Sequence, residues 1–330
     1  MDKVMERLHA EPALAWKVAV NLLGKDELSS EARHAQVEVR EASLVQDLIA
    51  TCDRRHGAYK KWDGAHWVLS ILADLGYPAG DESLRPLMED TFNTWLSREH
   101  ITRHLRLLEG RARRCASQEG YAVWCSLRLG FADGRTDELV SRLLQWQWPD
   151  GGWNCDRHPE ADTSSFMETL IPLRALALYA RLSGDAGVKA AVEHAAEVFL
   201  TRQLFKRRRD GQVMDAHFLR LHYPPYWHYD ILFGLKVMAE AGFIGDPRCS
   251  TALDLLESKR LPDGGFPAEE SYTQSRKPQL SGFSPVAWGG ISKRAMHPFI
   301  TADALYVLRM AGRFSMARPC SIIHQTGDLA

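Results

Sequence analysis

Apolar helical segments that end in glycine recur along the chain. The spacing of apolar residues predicts six of them, and they end at Gly24, Gly76, Gly130, Gly184, Gly242 and Gly312. Successive glycines lie 52, 54, 54, 58 and 70 residues apart. Glycine is favoured just after a helix because it enters the left-handed conformation without a Cβ clash. The pattern therefore predicts six repeats, each with an apolar helix that a glycine ends.

A second helix with one charged face follows these glycines, as in DESLRPLMEDTFNTWLSR after Gly76 and GRTDELVSRLLQWQW after Gly130. A helix that is apolar on all sides is buried, whereas an amphipathic helix covers it from outside. No segment alternates with a period of two residues, so few strands are expected. We predict an all-α fold in which about six inner–outer helix hairpins form one α/α toroid over residues 1–330. An open solenoid or an irregular all-α domain is the alternative.

Two loops after outer helices are nearly identical. They read WQWPDGGWNCD over residues 146–156 and KRLPDGGFPAE over residues 259–269. Proline fixes φ and the glycines accept positive φ, so both loops predict a tight turn. The aromatic residue that follows, Trp153 or Phe266, is expected to insert between neighbouring helices. The loop at 271–297 is long enough to act as a lid, and residues 313–330 form a tail.

The repeated turns resemble the signature of the squalene cyclase and protein prenyltransferase superfamily, Q-x-x-DGGW or DGGF. Gln147 and residues 150–153 fit one copy, and residues 263–266 fit the other. The resemblance covers residues 60–312 and implies an α/α toroid. It also implies an isoprenoid or other polyene-type hydrophobic substrate, held in a central aromatic cavity. The motif itself joins the outer layer of helices and takes no part in the chemistry.

Acidic residues recur at the starts of the predicted inner helices, which meet at one mouth of a toroid. Cyclases of this superfamily protonate their substrate with a D-x-D-D motif, and Glu160-Ala161-Asp162-Thr163 matches it in part. The resemblance puts Asp162 in the place of the proton donor, while Thr163 replaces the last Asp. Capping and the helix dipole offer a structural alternative for every such acid. The candidate catalytic residues are Asp162, Glu168, Glu119, His228 and Asp230.

The same helix starts and the segment HYPPYWHYD (222–230) supply aromatic and polar side chains for a cavity wall. The alternative is an ordered loop that seals the mouth of the ring. The candidate substrate-binding residues are Trp62, His66, Gln118, Trp153, Tyr226, Trp227 and Tyr229. With these residues, the resemblance implies acid-initiated cyclisation, isomerisation or elimination of a small hydrophobic molecule.

The sequence requires no cofactor, but a zinc site is a second hypothesis. Thiolate, carboxylate and imidazole groups suit zinc, and Cys155, Asp156 and His222 offer one of each. Protein prenyltransferases hold zinc with Asp, Cys and His from separate repeats, although here the order is Cys-Asp. This set would serve a zinc enzyme that acts on a small polar or thiol substrate. A non-catalytic toroid that binds a partner in its concave mouth is the third hypothesis.

Composition argues against several classes of protein. Lys and Arg number 41 against 42 Asp and Glu, which argues against a nucleic-acid binder that works through bulk charge. The six cysteines are scattered and form no disulfide framework. No apolar run approaches the length of a transmembrane helix, and the first thirty residues do not resemble a signal peptide. We expect a cytoplasmic protein, and the sequence does not predict its oligomeric state.

Overall fold

The computed structural model of the 330-residue chain describes residues 1–273, 284 and 286–315. The predicted lid-like loop is therefore described only at its two ends, because residues 274–283 and 285 lie outside this range. Of the predicted tail, residues 316–330 lie outside it as well.

The described chain is mostly helical, which confirms the predicted all-α class. A two-stranded antiparallel hairpin, β1 (Arg106–Leu108) and β2 (Arg111–Arg113), forms the sheet found there. None of the described helices is both long and apolar enough to cross a membrane. The α-helices are α1 (Asp2–His9), α2 (Ser30–Glu41), α3 (Ser43–Ala50), α4 (Ala65–Leu75), α5 (Arg85–Leu96), α6 (Arg98–His104), α7 (Ala116–Arg128), α8 (Gly134–Gln145), α9 (Phe166–Ser183), α10 (Ala186–Leu200), α11 (Ile231–Glu240), α12 (Ser250–Ser258) and α13 (Pro298–Met310). A π-helix covers Lys17–Leu22, and short 3₁₀ turns cover Pro12–Leu14, Glu82–Leu84, Ala216–Leu219 and Pro247–Cys249.

The predicted glycine stops are confirmed. All six have positive φ, and they follow the π-helix, α4, α7, α9, α11 and α13. Gly76 shows why glycine is required, since its φ is 81° and a Cβ there would lie 2.3 Å from the indole of Trp16. Gly76 ends α4, a mostly apolar helix in which every residue is buried. The glycines thus mark the ends of the buried helices.

The apolar helices pack against one another in chain order. α4 contacts α7, α7 contacts α9, α9 contacts α11, α11 contacts α13, and α13 contacts the π-helix. Each of the four apolar helices from α4 to α11 also packs against the amphipathic helix that follows it, namely α5, α8, α10 or α12. The alternation of inner and outer helices expected from the sequence is present in these contacts.

The two Pro-Asp-Gly-Gly turns make the same hydrogen bonds. The backbone N–H of Trp153 donates to Thr169 Oγ1 at 3.1 Å, and that of Phe266 donates to Thr301 Oγ1 at 2.9 Å. The indole N–H of Trp153 donates to the Leu143 carbonyl at 3.0 Å, and both aromatic side chains are buried. The buried aromatic side chains agree with the predicted insertion between helices, and the hydrogen bonds also tie each turn to the first turns of the next apolar helix, α9 or α13.

Candidate functional site

A backbone bridge brings two loops together beside the start of α7. Arg113 pairs with Asn154 in a parallel bridge, and the N–H of Arg114 donates to the Asn154 carbonyl at 3.0 Å. The next residues along the two loops are Cys115, which is the N-cap of α7, and Cys155. This register places the two thiols side by side, although 40 positions separate them in the sequence.

Glu168 reaches the two thiols from the first turn of α9. One carboxylate oxygen accepts a hydrogen bond from the N–H of Ser117 at 3.0 Å, and the other lies 3.4 Å from the Cys155 sulfur. The sulfurs of Cys115 and Cys155 and a Glu168 oxygen all lie within 4.8 Å of one another. All three residues are half-buried. These three residues, which we call the thiol–carboxylate site, could hold a metal ion.

The surroundings of Glu168 and of Cys115 favour the neutral form of each. Burial raises the pKa of Glu168, although the hydrogen bond from Ser117 opposes this effect. The hydrogen bond with Cys155, followed by burial, raises the pKa of Cys115. A divalent cation reverses this preference because it binds thiolate and carboxylate rather than their protonated forms. Metal binding at this site would therefore release protons.

The predicted ligand set needs correction. Cys155 belongs to the thiol–carboxylate site, but Asp156 and His222 do not. Asp156 is exposed and accepts a hydrogen bond from the N–H of His158 at 2.9 Å. His222 is buried elsewhere and forms an ion pair with Asp230 at 2.9 Å. Sequence reasoning missed Cys115, and its position just before an inner helix was the signal that could have found it.

The candidate catalytic acids other than Glu168 lie outside the thiol–carboxylate site. Asp162 is exposed to solvent. Glu119 is fully buried on α7, where Arg114 donates to both of its oxygens. Asp230 caps α11 by accepting a hydrogen bond from the N–H of Phe233 at 2.7 Å. Their predicted catalytic roles stay predictions, but the structure gives Glu119 and Asp230 clear structural partners.

Most of the predicted aromatic wall consists of rings that pack on one another. Trp62 stacks on Tyr226 with a centroid distance of 4.2 Å, and His228 stacks on Tyr272 at 3.5 Å. Trp227 in turn stacks on His228 at 4.2 Å. Burial, aided by nearby His222, lowers the pKa of His228 to about 2. Residues 226–228 of this segment are therefore closely packed against other rings of the described chain.

Of the other predicted substrate-binding residues, His66 belongs to the same aromatic cluster, since its ring and that of Trp62 both pack against Trp67, at 4.6 and 4.9 Å. His66 is buried, accepts a hydrogen bond from the Trp95 indole at 3.2 Å, and has its pKa lowered to about 3 by burial. Gln118 is half-buried. Trp153 is the buried insert of the first repeated turn, and the Tyr229 hydroxyl donates to the Leu204 carbonyl at 2.6 Å. Their predicted role in substrate binding stays a prediction.

Five buried charged residues meet between the apolar helices, a group that the sequence analysis did not predict. Lys17 donates to Asp74 at 2.6 Å and to Asp303 at 2.8 Å. Lys236 donates to the same two carboxylates, and Arg174 donates to Asp74 at 2.8 Å. Burial alone would raise the pKa of Asp74, but Lys17, Lys236 and Arg174 lower it well below 3.8. We call these residues the central ion cluster.

Comparisons with known proteins do not identify the chain. No protein-family model and no curated protein matches it. A solved structure of a protein from Actinoplanes is 18% identical, with 91% of this chain and 89% of that chain covered and a TM-score of 0.41.

Proposed function

We propose that the helices close into the α/α toroid that the sequence predicts. Two observations support the closure. Contacts run in order from α4 to α13 and then to the π-helix. Lys17 of that π-helix forms a buried ion pair with Asp74 of α4 at 2.6 Å, so the last helix in this order of contacts is linked to the first.

We propose that the chain is a metal-dependent enzyme whose metal, zinc, is held by Cys115, Cys155 and Glu168. The comparison of the two repeated turns carries this proposal. In the second turn, Ala268 and Ile300 occupy the positions that Cys155 and Glu168 occupy in the first. That turn makes the same backbone hydrogen bonds without them. The fold therefore needs neither the thiol nor the carboxylate, and a ligand-binding role explains both.

The donor set fits zinc in type and in spacing. Ligands at about 2.0–2.3 Å around a tetrahedral zinc ion lie roughly 3.3–3.8 Å from one another. The Cys155 sulfur and the Glu168 oxygen are 3.4 Å apart and need little movement. Structural zinc sites have four protein ligands, whereas catalytic sites have three and leave one position for water or substrate. The described residues supply three donors, which favours the catalytic type.

A neighbouring residue holds one of the proposed ligands in place. The N–H of Ser117 orients one Glu168 oxygen, so the other oxygen is directed towards the thiols. Such supporting hydrogen bonds tune both the geometry and the basicity of metal ligands. A bound zinc ion supplies Lewis acidity and stabilises a thiolate or a hydroxide at neutral pH. We expect the open side of the site to accept a small polar or thiol-bearing substrate.

Metal analysis of the purified full-length chain tests the proposal. We expect about one zinc per chain, and a Co²⁺-exchanged protein with the intense near-ultraviolet bands of cobalt–thiolate bonds. Cys115→Ser, Cys155→Ser and Glu168→Gln should each weaken metal binding about tenfold or more. Cys52→Ser is the matched control, since Cys52 is also half-buried and lies outside the site.

Two results would contradict the proposal. One is the absence of bound metal from protein purified under reducing conditions and incubated with equimolar Zn²⁺. The other is metal binding that the three site variants retain as fully as the control does. A disulfide between Cys115 and Cys155 in protein purified without reductant, with no metal binding after reduction, would assign the pair to redox chemistry instead.

A terpenoid substrate is the second candidate function, and the aromatic rings beside the site support it. Burial, together with the nearby groups of the thiol–carboxylate site, raises the pKa of Tyr59. The Tyr59 ring packs 4.9 Å from Trp67 and 5.3 Å from Trp95. Aromatic faces stabilise carbocations, which are the intermediates of isoprenoid chemistry. Incubation with farnesyl and geranylgeranyl diphosphate, followed by mass spectrometry of the products, tests this candidate. Turnover that Asp162→Asn leaves unchanged would remove Asp162 as the acid.

A further inference from the structure

A cavity of about 180 Å³ lies at the far ends of the inner helices from the thiol–carboxylate site. Much of its wall comes from the middle and C-terminal parts of the apolar helices, including Trp124 on α7, Arg174 and Arg181 on α9, Lys236 on α11 and Tyr306 on α13. Cys115 caps the start of α7, and a helix of that length is about 20 Å long. The cavity is therefore a separate place in the fold, and the proposed metal chemistry does not use it.

The charges that line the cavity are unequal. Four bases (Arg128, Arg174, Arg181 and Lys236) face three acids (Glu27, Asp74 and Glu240). Lys17 and Asp303, which complete the central ion cluster behind the wall, balance each other. The excess of one positive charge suits one negative charge on a ligand.

Two arginines have donors to spare. Arg174 is buried and uses Nε and Nη2 for Glu240 and Asp74, while its Nη1 has no hydrogen bond among the described residues. Arg181 lies exposed at the rim and forms no ion pair within the described ranges. Guanidinium groups bind carboxylates with directed, charge-assisted hydrogen bonds. A buried donor and a rim donor on the same helix can thus hold one carboxylate between them.

The rest of the wall is aromatic or apolar. The guanidinium of Arg174 lies 3.7 Å from the ring centre of Trp124, which fixes its plane. Trp16 and Tyr306 add further rings, and the buried indole N–H of Trp16 has no partner in the described chain. A cavity of roughly 150 Å³ is known to accept benzene, so a space of this size admits one ring with a small substituent.

We propose that this cavity binds a small organic monoanion, a carboxylate on an aromatic or similarly compact apolar body. The carboxylate is held by Arg174 and Arg181, and the apolar body packs against Trp16, Trp124 and Tyr306. The bound anion neutralises the excess charge and gives the free donors their partners. The inference stands independently of the metal site.

Calorimetric titration of the full-length chain with benzoate tests the proposal. We expect one benzoate per chain, with the neutral isostere benzamide binding about tenfold or more weakly because it lacks the charge. Inorganic phosphate should also bind more weakly, since it leaves the aromatic wall uncovered. The double variant Cys115→Ser/Cys155→Ser should bind benzoate as the wild type does, which separates this site from the metal site.

Two variants locate the site. Arg181→Gln should weaken benzoate binding about tenfold, whereas Arg103→Gln, which removes another exposed arginine, should not. Leu178→Trp should fill the cavity and abolish binding, with circular dichroism confirming the fold. The inference is overturned if benzoate gives no binding at millimolar concentration, if benzamide or phosphate binds as tightly, or if both variants bind benzoate normally.

Discussion

Replacing Asp74 with asparagine tests how the central ion cluster stabilises the fold. Asp74 accepts three hydrogen bonds from buried cations: Lys17 at 2.6 Å, Lys236 at 2.6 Å and Arg174 at 2.8 Å. The substitution keeps the size of the side chain but removes its charge. It also turns an amide NH₂ group towards a cation. Three cations then share only Asp303 and Glu240.

The expected loss of stability follows from these contacts. Hydrogen bonds to charged groups contribute about 1.5–3 kcal/mol each, so three of them set an upper range of about 4.5–9 kcal/mol. The asparagine oxygen still accepts one bond and the site relaxes, and breaking a buried ion pair typically costs about 3–5 kcal/mol. We therefore expect Asp74→Asn to lower the free energy of unfolding by about 4 kcal/mol.

Urea unfolding followed by tryptophan fluorescence measures this loss. The midpoint should fall while the denaturant slope stays constant. Glu99→Gln is the control because its ion pair with Arg103 is exposed, and it should cost less than about 0.5 kcal/mol. Lys236→Met in the Asp74→Asn background should restore part of the loss, since it removes one unpaired cation.

The pH dependence of stability is a second test of the role of Asp74. The pKa of Asp74 is lower in the folded chain than its usual value of 3.8. The contribution of the Asp74 carboxylate to the free energy of unfolding is therefore complete above pH 3.8. The contribution is lost as the pH falls through the folded-state pKa. Asp74→Asn should therefore flatten the acid side of the stability profile. A loss below about 1 kcal/mol, or an unchanged acid profile, would refute the view that Asp74 is the anionic centre of the cluster.

Two further predictions concern residues that the sequence had assigned to the site. Trp153→Ala should lower the free energy of unfolding by about 3–5 kcal/mol, as should Phe266→Ala in the second turn, because each removes a buried ring. Exposed Leu182→Ala is the control, and a Trp153→Ala loss as small as that of the control would show that the ring is not a structural insert. Burial lowers the pKa of His222, but Asp230 outweighs it, so the pKa lies above 6.5 and the ion pair stabilises the fold most below that pH. The difference in urea midpoint between wild type and His222→Gln should therefore shrink from pH about 6 to pH about 9, and a constant or growing difference would contradict the charged pair.

Local signals in the sequence predicted the helical repeat well. The glycines at the helix ends and the Pro-Asp-Gly-Gly turns depend on backbone conformations that few other residues accept. The residue types at these positions therefore predict the local backbone conformation, and no information on distant contacts is needed. The buried helices followed from apolar runs for the same reason, since a helix with apolar residues on every side, such as α4, is buried.

The thiol–carboxylate site depends on contacts that no local pattern encodes. Cys155 was a candidate, but its neighbour is Cys115 from the preceding repeat, which is brought in by the Arg113–Asn154 bridge. Asp156 looked equally suitable as a ligand because it adjoins Cys155 in the sequence. Successive residues of a loop point in different directions, and here Asp156 is exposed while Cys155 faces Glu168.

The central ion cluster shows a signal that is visible only when the repeats are compared. Each inner helix that contributes to it carries a charge within an apolar run, as in AWKVAV, ILADLG, LIPLRALAL, GLKVMA and ITADALY. One such charge on its own says little, because it can reach solvent from many positions. Several of them, of both signs and on helices that must be buried together, have to neutralise one another, since an unpaired buried charge costs several kcal/mol. The same requirement explains why the anion cavity adjoins this cluster: the helix ends already hold fixed cations in a low-dielectric setting, and only one more negative charge is needed to complete the balance.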